Sequence, residues 1–193
     1  MFVIAAVTMS MITILSAFNG IEDLVQDLFG TLDADLAAVP ISGEVLPNEL
    51  GEIIGQYPGV AVYSAVIESE AIIRGNGVTQ ICSVLGVDAQ YGDVSQIDSA
   101  IVEGIWGKSF ENSQCVCLGY GIRSEMGIRS DTTYPPLMSL GAPVRGKKLS
   151  RHRENAFRTL PALACGTFSI NADLDTRYIL APLEFARELF DRP

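Results

Sequence analysis

The chain has 193 residues, with 23 acidic against 13 basic side chains, a formal net charge of −10, 48% hydrophobic residues and a mean hydropathy of +0.29. The length allows one domain or two small ones. The acidic balance argues against nucleic acid as a partner, because phosphate binding needs a basic surface.

Part of the apolarity is local, since Phe2 to Phe18 carries no charged residue. As a helix these residues extend roughly 26 Å, slightly short of the roughly 30 Å hydrocarbon core of a bilayer. The segment is read as most of a membrane span, with residues 1–20 the end of a first transmembrane helix whose beginning has been cut off. A signal peptide and a buried core helix are the alternatives, but no basic residue opens the segment and no small-residue cleavage site closes it. From Asn19 to Ile73 there are ten acidic residues and no basic one. Cytoplasmic flanks of membrane helices collect Lys and Arg, so this flank is expected outside the cytoplasm. A solvated acidic face of a soluble domain would also satisfy it.

Ile21, Leu24, Val25, Leu28, Phe29 and Leu32 repeat at helical spacing, with Glu22, Asp23 and Asp27 on the other face. A stalk continuing the span is expected, with Asn19, Gly20, Leu24 and Leu28 as candidates for mechanical coupling. Asp35 to Ile41 reads as a short strand. Pro47 opens a helix carrying Leu50, Ile53, Ile54 and Tyr57, which Pro58-Gly59 ends. Val60 to Glu68 is rich in strand formers, and Asn76-Gly77 between Glu70–Arg74 and Val78–Val87 is a hairpin signal. The order points to an α+β fold with a largely antiparallel sheet.

Hydrophobicity becomes irregular from Asp88 to Trp106. Gln114 to Leu118 reads as a strand and Gly121 to Gly127 as a short helical turn. Tyr134 to Pro161 reads as strands joined by an exposed loop. Ala162–Phe168 and Tyr178–Ala181 read as strands, and Pro182 starts a helix burying Leu183, Ala186, Leu189 and Phe190. That helix lacks a following partner strand, so a truncation at Pro193 is expected.

Little catalytic chemistry is visible. The four cysteines, Cys82, Cys115, Cys117 and Cys165, contain no CxxC pair and are read as small buried hydrophobes, with no disulfide expected. His152 lies between Arg151 and Arg153, which favours solvent over a triad. Asp173 and Asp175 are read as turn formers. The GxG at Gly119 and Gly121 does not continue as a dinucleotide fingerprint, and no phosphate loop is present. No enzyme, metal or cofactor is expected in this chain. The most pointed feature is basic: Pro143 to Arg158 holds six of the 13 Lys and Arg residues against one acid. Such a loop can steer an acidic protein or anionic lipid headgroups, or stand as a solvated loop.

Five segments in order carry a resemblance: LSAFNGIE at 15–22, VLGVDAQY at 84–91, IVEGIW at 101–106, VCLGYGIRSEMGIRSDT at 116–132 and CGTFSINADLDTRYILAPLEFARELF at 165–190. Together the chain resembles the ABC-transporter permeases of the lipoprotein-releasing and macrolide-efflux type (FtsX-like, with a MacB-type periplasmic core). Ser130 stands where that family usually has glycine. The resemblance implies a four-span inner-membrane permease working by mechanotransmission, paired with a second permease copy or paralogue and driven by ATP on a cytoplasmic ATPase. It implies a periplasmic domain whose inner part comprises 21–87 and 162–193, with an inserted, mostly-β outer part at 88–161. In the lipoprotein-releasing branch a loop at the position of Pro143–Arg158 grips a periplasmic lipoprotein chaperone. Arg145, Lys147, Lys148, Arg151 and Arg153 are therefore candidates for partner binding. A secreted or membrane-tethered binding domain without transport activity is the alternative function.

Overall fold

The computed structural model describes residues 2–30, 32, 34–41, 46–47, 49–106, 114–129, 134–143 and 157–192. Helix α1, Phe2–Gly30, is uninterrupted for 29 residues, roughly 43 Å. It runs through Asn19 and Gly20 without a break, so the apolar segment and the periodic stretch behind it form one rod. Within it Val3–Glu22 is long and apolar enough to cross a membrane, and its side chains are exposed. Isoleucines, valines and methionines exposed along 20 residues in water would be costly, at about 25 cal/mol per Å². A bilayer removes that cost.

The strand expected at 35–41 does not form. Residues 34–41 have no regular secondary structure, and Leu36, Val39 and Ile41 are fully or largely exposed. Strand propensity measures fit to a paired, half-buried surface, and among the described residues no neighbouring strand supplies one. Helix α2, Glu49–Gly55, follows Pro47 and ends before Tyr57 and the Pro58-Gly59 expected to close it. Its Gly51 and Gly55 lie against the ring of Tyr63. The next strand starts later than expected: β1 is Val66–Gly75.

Strands β1 and β2 (Val78–Val87) pair antiparallel from Val66↔Val87 to Gly75↔Val78. Asn76 (φ 50) and Gly77 (φ 78) turn the corner in the left-handed region that a two-residue hairpin requires. The irregular stretch holds two four-residue helices, α3 (Tyr91–Val94) and α4 (Ile97–Ala100), and then strand β3 (Ile101–Gly104). Strand β4 (Cys115–Gly119) leads into α5 (Tyr120–Glu125), and β5 is Leu137–Pro143. The long β6 (Phe157–Phe168), α6 (Ala172–Arg177), β7 (Tyr178–Pro182) and α7 (Leu183–Phe190) complete the order.

The seven strands form one sheet, β3-β6-β4-β7-β2-β1-β5, and a further β5–β6 pairing joins its ends into a ring of six, with β3 added at the side of β6. Most neighbours are antiparallel; β2–β7 and β4–β6 are parallel. The fold is α+β, as expected. The boundary expected at 87/88 falls at the end of β2, and the one expected at 161/162 falls inside β6.

Alternation along the strands makes two cores. One set, including Ile73, Val84, Leu118, Leu140, Ala162 and Ile179, gathers residues from all six ring strands with Ile122 and Met126 near α5 and four residues of α7. A ring of only six strands has a narrow interior, which suits Ala71, Ala142, Ala162, Ala164 and Ala181 in that set. The other set contains Leu85, Val87, Cys117, Phe168 and Leu180 with Leu32, Tyr91, Ile97 and Ala100. Helix α7 buries Phe185, Ala186, Leu189 and Phe190; Phe185 replaces Leu183, which is only half-buried.

The expectation of no disulfide is overturned. Cys115 of β4 and Cys165 of β6 are bonded, with Cα atoms 5.4 Å apart. The two strands are parallel neighbours; Cys115 pairs with Leu163, and Cys165 is the β6 residue left unpaired by the register shift between Val116 and Cys117. Cys82 and Cys117 are free and buried. Burial pushes the Cys82 thiol up to about 12 and the Cys117 thiol up as well. Two thiols are therefore expected to react with alkylating reagents at pH 8 only after denaturation, as counted by mass spectrometry. A thiol whose native pKa lies above its unfolded value holds its proton longer in the folded state. The contribution of Cys82 to stability is thus complete below pH 9 and lost as pH rises towards 12. Rapid labelling of the native protein would contradict this burial.

Candidate functional site

Among the described residues no group of three or more His, Cys, Asp or Glu side chains is placed to hold a metal. Asp173 is exposed and Asp175 is buried, both in α6 rather than in a bare turn. Asn171 caps that helix by accepting from Leu174 N at 2.9 Å. The Asp175 carboxylate accepts from Ser169 Oγ and Ile170 N, both at 2.8 Å, which ties the helix to the end of β6. Its oxygens are used in holding the chain. The Gly119–Gly121 pair opens α5 where the Asp175 backbone comes close, which accounts for those glycines without a nucleotide.

Arg123 is a brace. It contacts Glu103 of β3 at 2.6 Å, Thr167 Oγ1 of β6 at 3.4 Å and, through Nε, the carbonyl of Ile128 at 3.2 Å. Arg158, the last member of the basic run, bonds the Glu188 carbonyl at 2.6 Å and Asp191 Oδ1 at 2.9 Å. It thereby closes the C-terminal end of α7, where a cation complements the helix dipole. His152, Arg145, Lys147, Lys148, Arg151 and Arg153 lie outside the described residues.

The arrangement with most bearing on function is the junction of α1 with the ring. Asn19 and Gly20 lie mid-helix and exposed; Leu24 and Leu28 belong to α1, with their side chains outside the described set. Leu32, two residues beyond α1, accepts a hydrogen bond at its carbonyl from the Tyr91 hydroxyl. Leu32 is 9% and Tyr91 3% exposed, both within the second core. Next to Tyr91, Asp88 Oδ1 accepts from Ser64 Oγ at 2.7 Å and from Gln90 N at 3.0 Å, while Oδ2 accepts from Ala65 N at 2.9 Å. Asp88 and Tyr91 both lie in the VLGVDAQY segment, but nothing in its local pattern shows what they bind.

Sequence comparison adds nothing: no protein-family model and no curated protein matches the chain. Structural comparison does. The extracellular domain of the noncanonic ABC-type transporter YknZ from Gram-positive bacteria superposes with a TM-score of 0.52 at 10% identity, over 74% of this chain and 65% of that one. This chain thus spans less than two thirds of its length. The periplasmic region of MacB from Actinobacillus actinomycetemcomitans gives 0.48 at 12% identity, over 79% and 58%. At such identity the first likeness is one of fold, and it agrees with the fold implied by the motifs.

Proposed function

Starting from the fold shared with a transporter's extracellular domain, we propose that this chain is the extracytoplasmic part, with its membrane helix, of an ATP-driven transport permease in a bacterial inner membrane. The observation that carries the proposal is the single rod α1, which continues from the apolar Val3–Glu22 stretch to Gly30 and meets the ring at Leu32. A rod rooted in a bilayer and seated on a barrel can convert movement of spans into movement outside the membrane. ATP is bound and hydrolysed by a cytoplasmic partner, a second permease copy or paralogue completes the assembly, and this chain performs no catalysis. The Cys115–Cys165 disulfide supports an oxidising compartment for the ring. The inner part, 21–87 and 162–193, carries the rod, and the insertion, 88–161, adds β3, β4 and β5 to the same sheet. Lipoprotein release is the substrate class, with the 143–158 loop gripping a periplasmic chaperone through its charge.

Purification of the tagged full-length gene product in mild detergent tests the proposal: an ATPase subunit is expected to copurify. A mature protein cleaved near Ala17 with no such subunit would point instead to a tethered or secreted binding domain. For the loop, replacing Arg145, Lys147, Lys148, Arg151 and Arg153 by Ser is expected to weaken chaperone capture about tenfold at low salt, with added salt narrowing the difference. Equal capture by both proteins would remove the chaperone from the account.

A further inference from the structure

We infer that the Asp88–Tyr91 turn is a latch that passes displacement of α1 directly to the ring. The inference rests on the proposed driving role of α1 and assigns that role to particular atoms. Along the covalent chain the path from Gly30 to the first ring strand at Val66 is long and indirect. It includes residues 34–41, without regular structure and largely exposed, and α2, whose glycines lie against Tyr63 of the same excursion. Among its described residues, Leu50 N bonds Pro47 O at 3.0 Å and Val60 N bonds Tyr57 O at 3.1 Å, both contacts local in sequence. A chain of this kind extends under load before it transmits much.

The Tyr91 hydroxyl bypasses it. Its bond to the Leu32 carbonyl spans 59 positions of sequence and joins the chain two residues beyond the end of α1 to the turn directly after β2. Three residues earlier, Asp88 holds Ser64 and Ala65, where the excursion returns to β1. Tyr91 N also donates to Asp88 O at 3.3 Å, so one tetrapeptide grips both ends of the excursion. Val87 leads into the turn from β2, and β2 is paired along its length with β1 and, over Ser83–Val87 next to the turn, with β7. Displacement of Leu32 therefore reaches three ring strands through short, buried connections. Tyr91 acts as a positioning residue: it touches no substrate and sets the geometry between rod and ring.

The test is a distance distribution in the full-length protein in lipid nanodiscs, with spin labels at Ile21→Cys on α1 and Ile81→Cys on β2, both exposed positions. The unmodified latch is expected to give one narrow distribution. Tyr91→Phe keeps the ring and removes the hydroxyl; it is expected to roughly double the width. It should move the thermal midpoint of the ring by less than about 3 °C. A merely structural hydroxyl would shift the midpoint and leave the width alone. An unchanged width overturns the inference. If Tyr91→Phe fails to fold, Asp88→Asn decides: broadening sustains the latch and wild-type width refutes it. The measurement needs no ATPase, so a stiff joint in a protein that recruits none would refute the transport proposal and leave the latch standing.

Discussion

Reducing the Cys115–Cys165 bond, or replacing both cysteines by alanine, is expected to lower the unfolding free energy by about 4 kcal/mol, the entropy of an open loop of this length. For a chain of this size that is a fall of roughly 10 °C in the thermal midpoint. The bond encloses 50 positions of chain, among them α5, β5 and the basic run at 143–158. It ties together the two strands, β4 and β6, between which that excursion begins and ends. Opening it frees a long segment in the unfolded state and removes a clamp between parallel neighbours that share only five paired positions across a register shift. Thermal melts with and without reductant check this. A midpoint that reductant leaves unchanged would mean that β4 and β6 are not held as described.

The second large effect is expected at Gly104, whose φ is +83. A Cβ there would lie 2.1 Å from the carbonyl oxygen of Cys165 and 2.6 Å from the Gly166 Cα, both backbone atoms that cannot step aside. Beside it, Ile105 N donates to that same Cys165 carbonyl at 3.1 Å, so the approach is part of how β3 joins β6. Gly104→Ala therefore forces β3 off the ring. It is expected to cost on the order of 3–5 kcal/mol, from left-handed strain plus overpacking. Urea denaturation of the variant measures it, and a loss under about 1 kcal/mol would show that β3 is placed wrongly, since ordinary surface changes cost no more than that.

What could be read from the sequence follows the range of the forces involved. The Asn76-Gly77 hairpin and the buried face of α7 were legible because turn chemistry and helical periodicity act over a few residues. The uninterrupted α1 was legible for the same reason. The disulfide was not: Cys115 and Cys165 meet only because β4 lies parallel to β6, a pairing that no local pattern announces. Asp35–Ile41 erred the other way, since its composition suits a strand and its surroundings provide no partner. The short helices α3 and α4 have too few residues to show a period. At the candidate site, Leu32 was present in the stalk periodicity and Tyr91 in the VLGVDAQY motif. Their contact depends on a bond across 59 positions, which no local pattern announces.

In the proposed mechanism, α1 moves the ring outside the membrane when a partner hydrolyses ATP on the other side. A donor dye at Ile81→Cys, with acceptor-labelled lipid headgroups in the leaflet facing the ring, reports the height of β2 above the bilayer; buried Cys82 and Cys117 stay unlabelled. Energy transfer in the reconstituted complex is predicted to change when ATP is supplied on the opposite face, and to stay constant with a partner unable to hydrolyse it. Identical transfer with and without ATP, in a complex whose ATPase is active, would contradict the account.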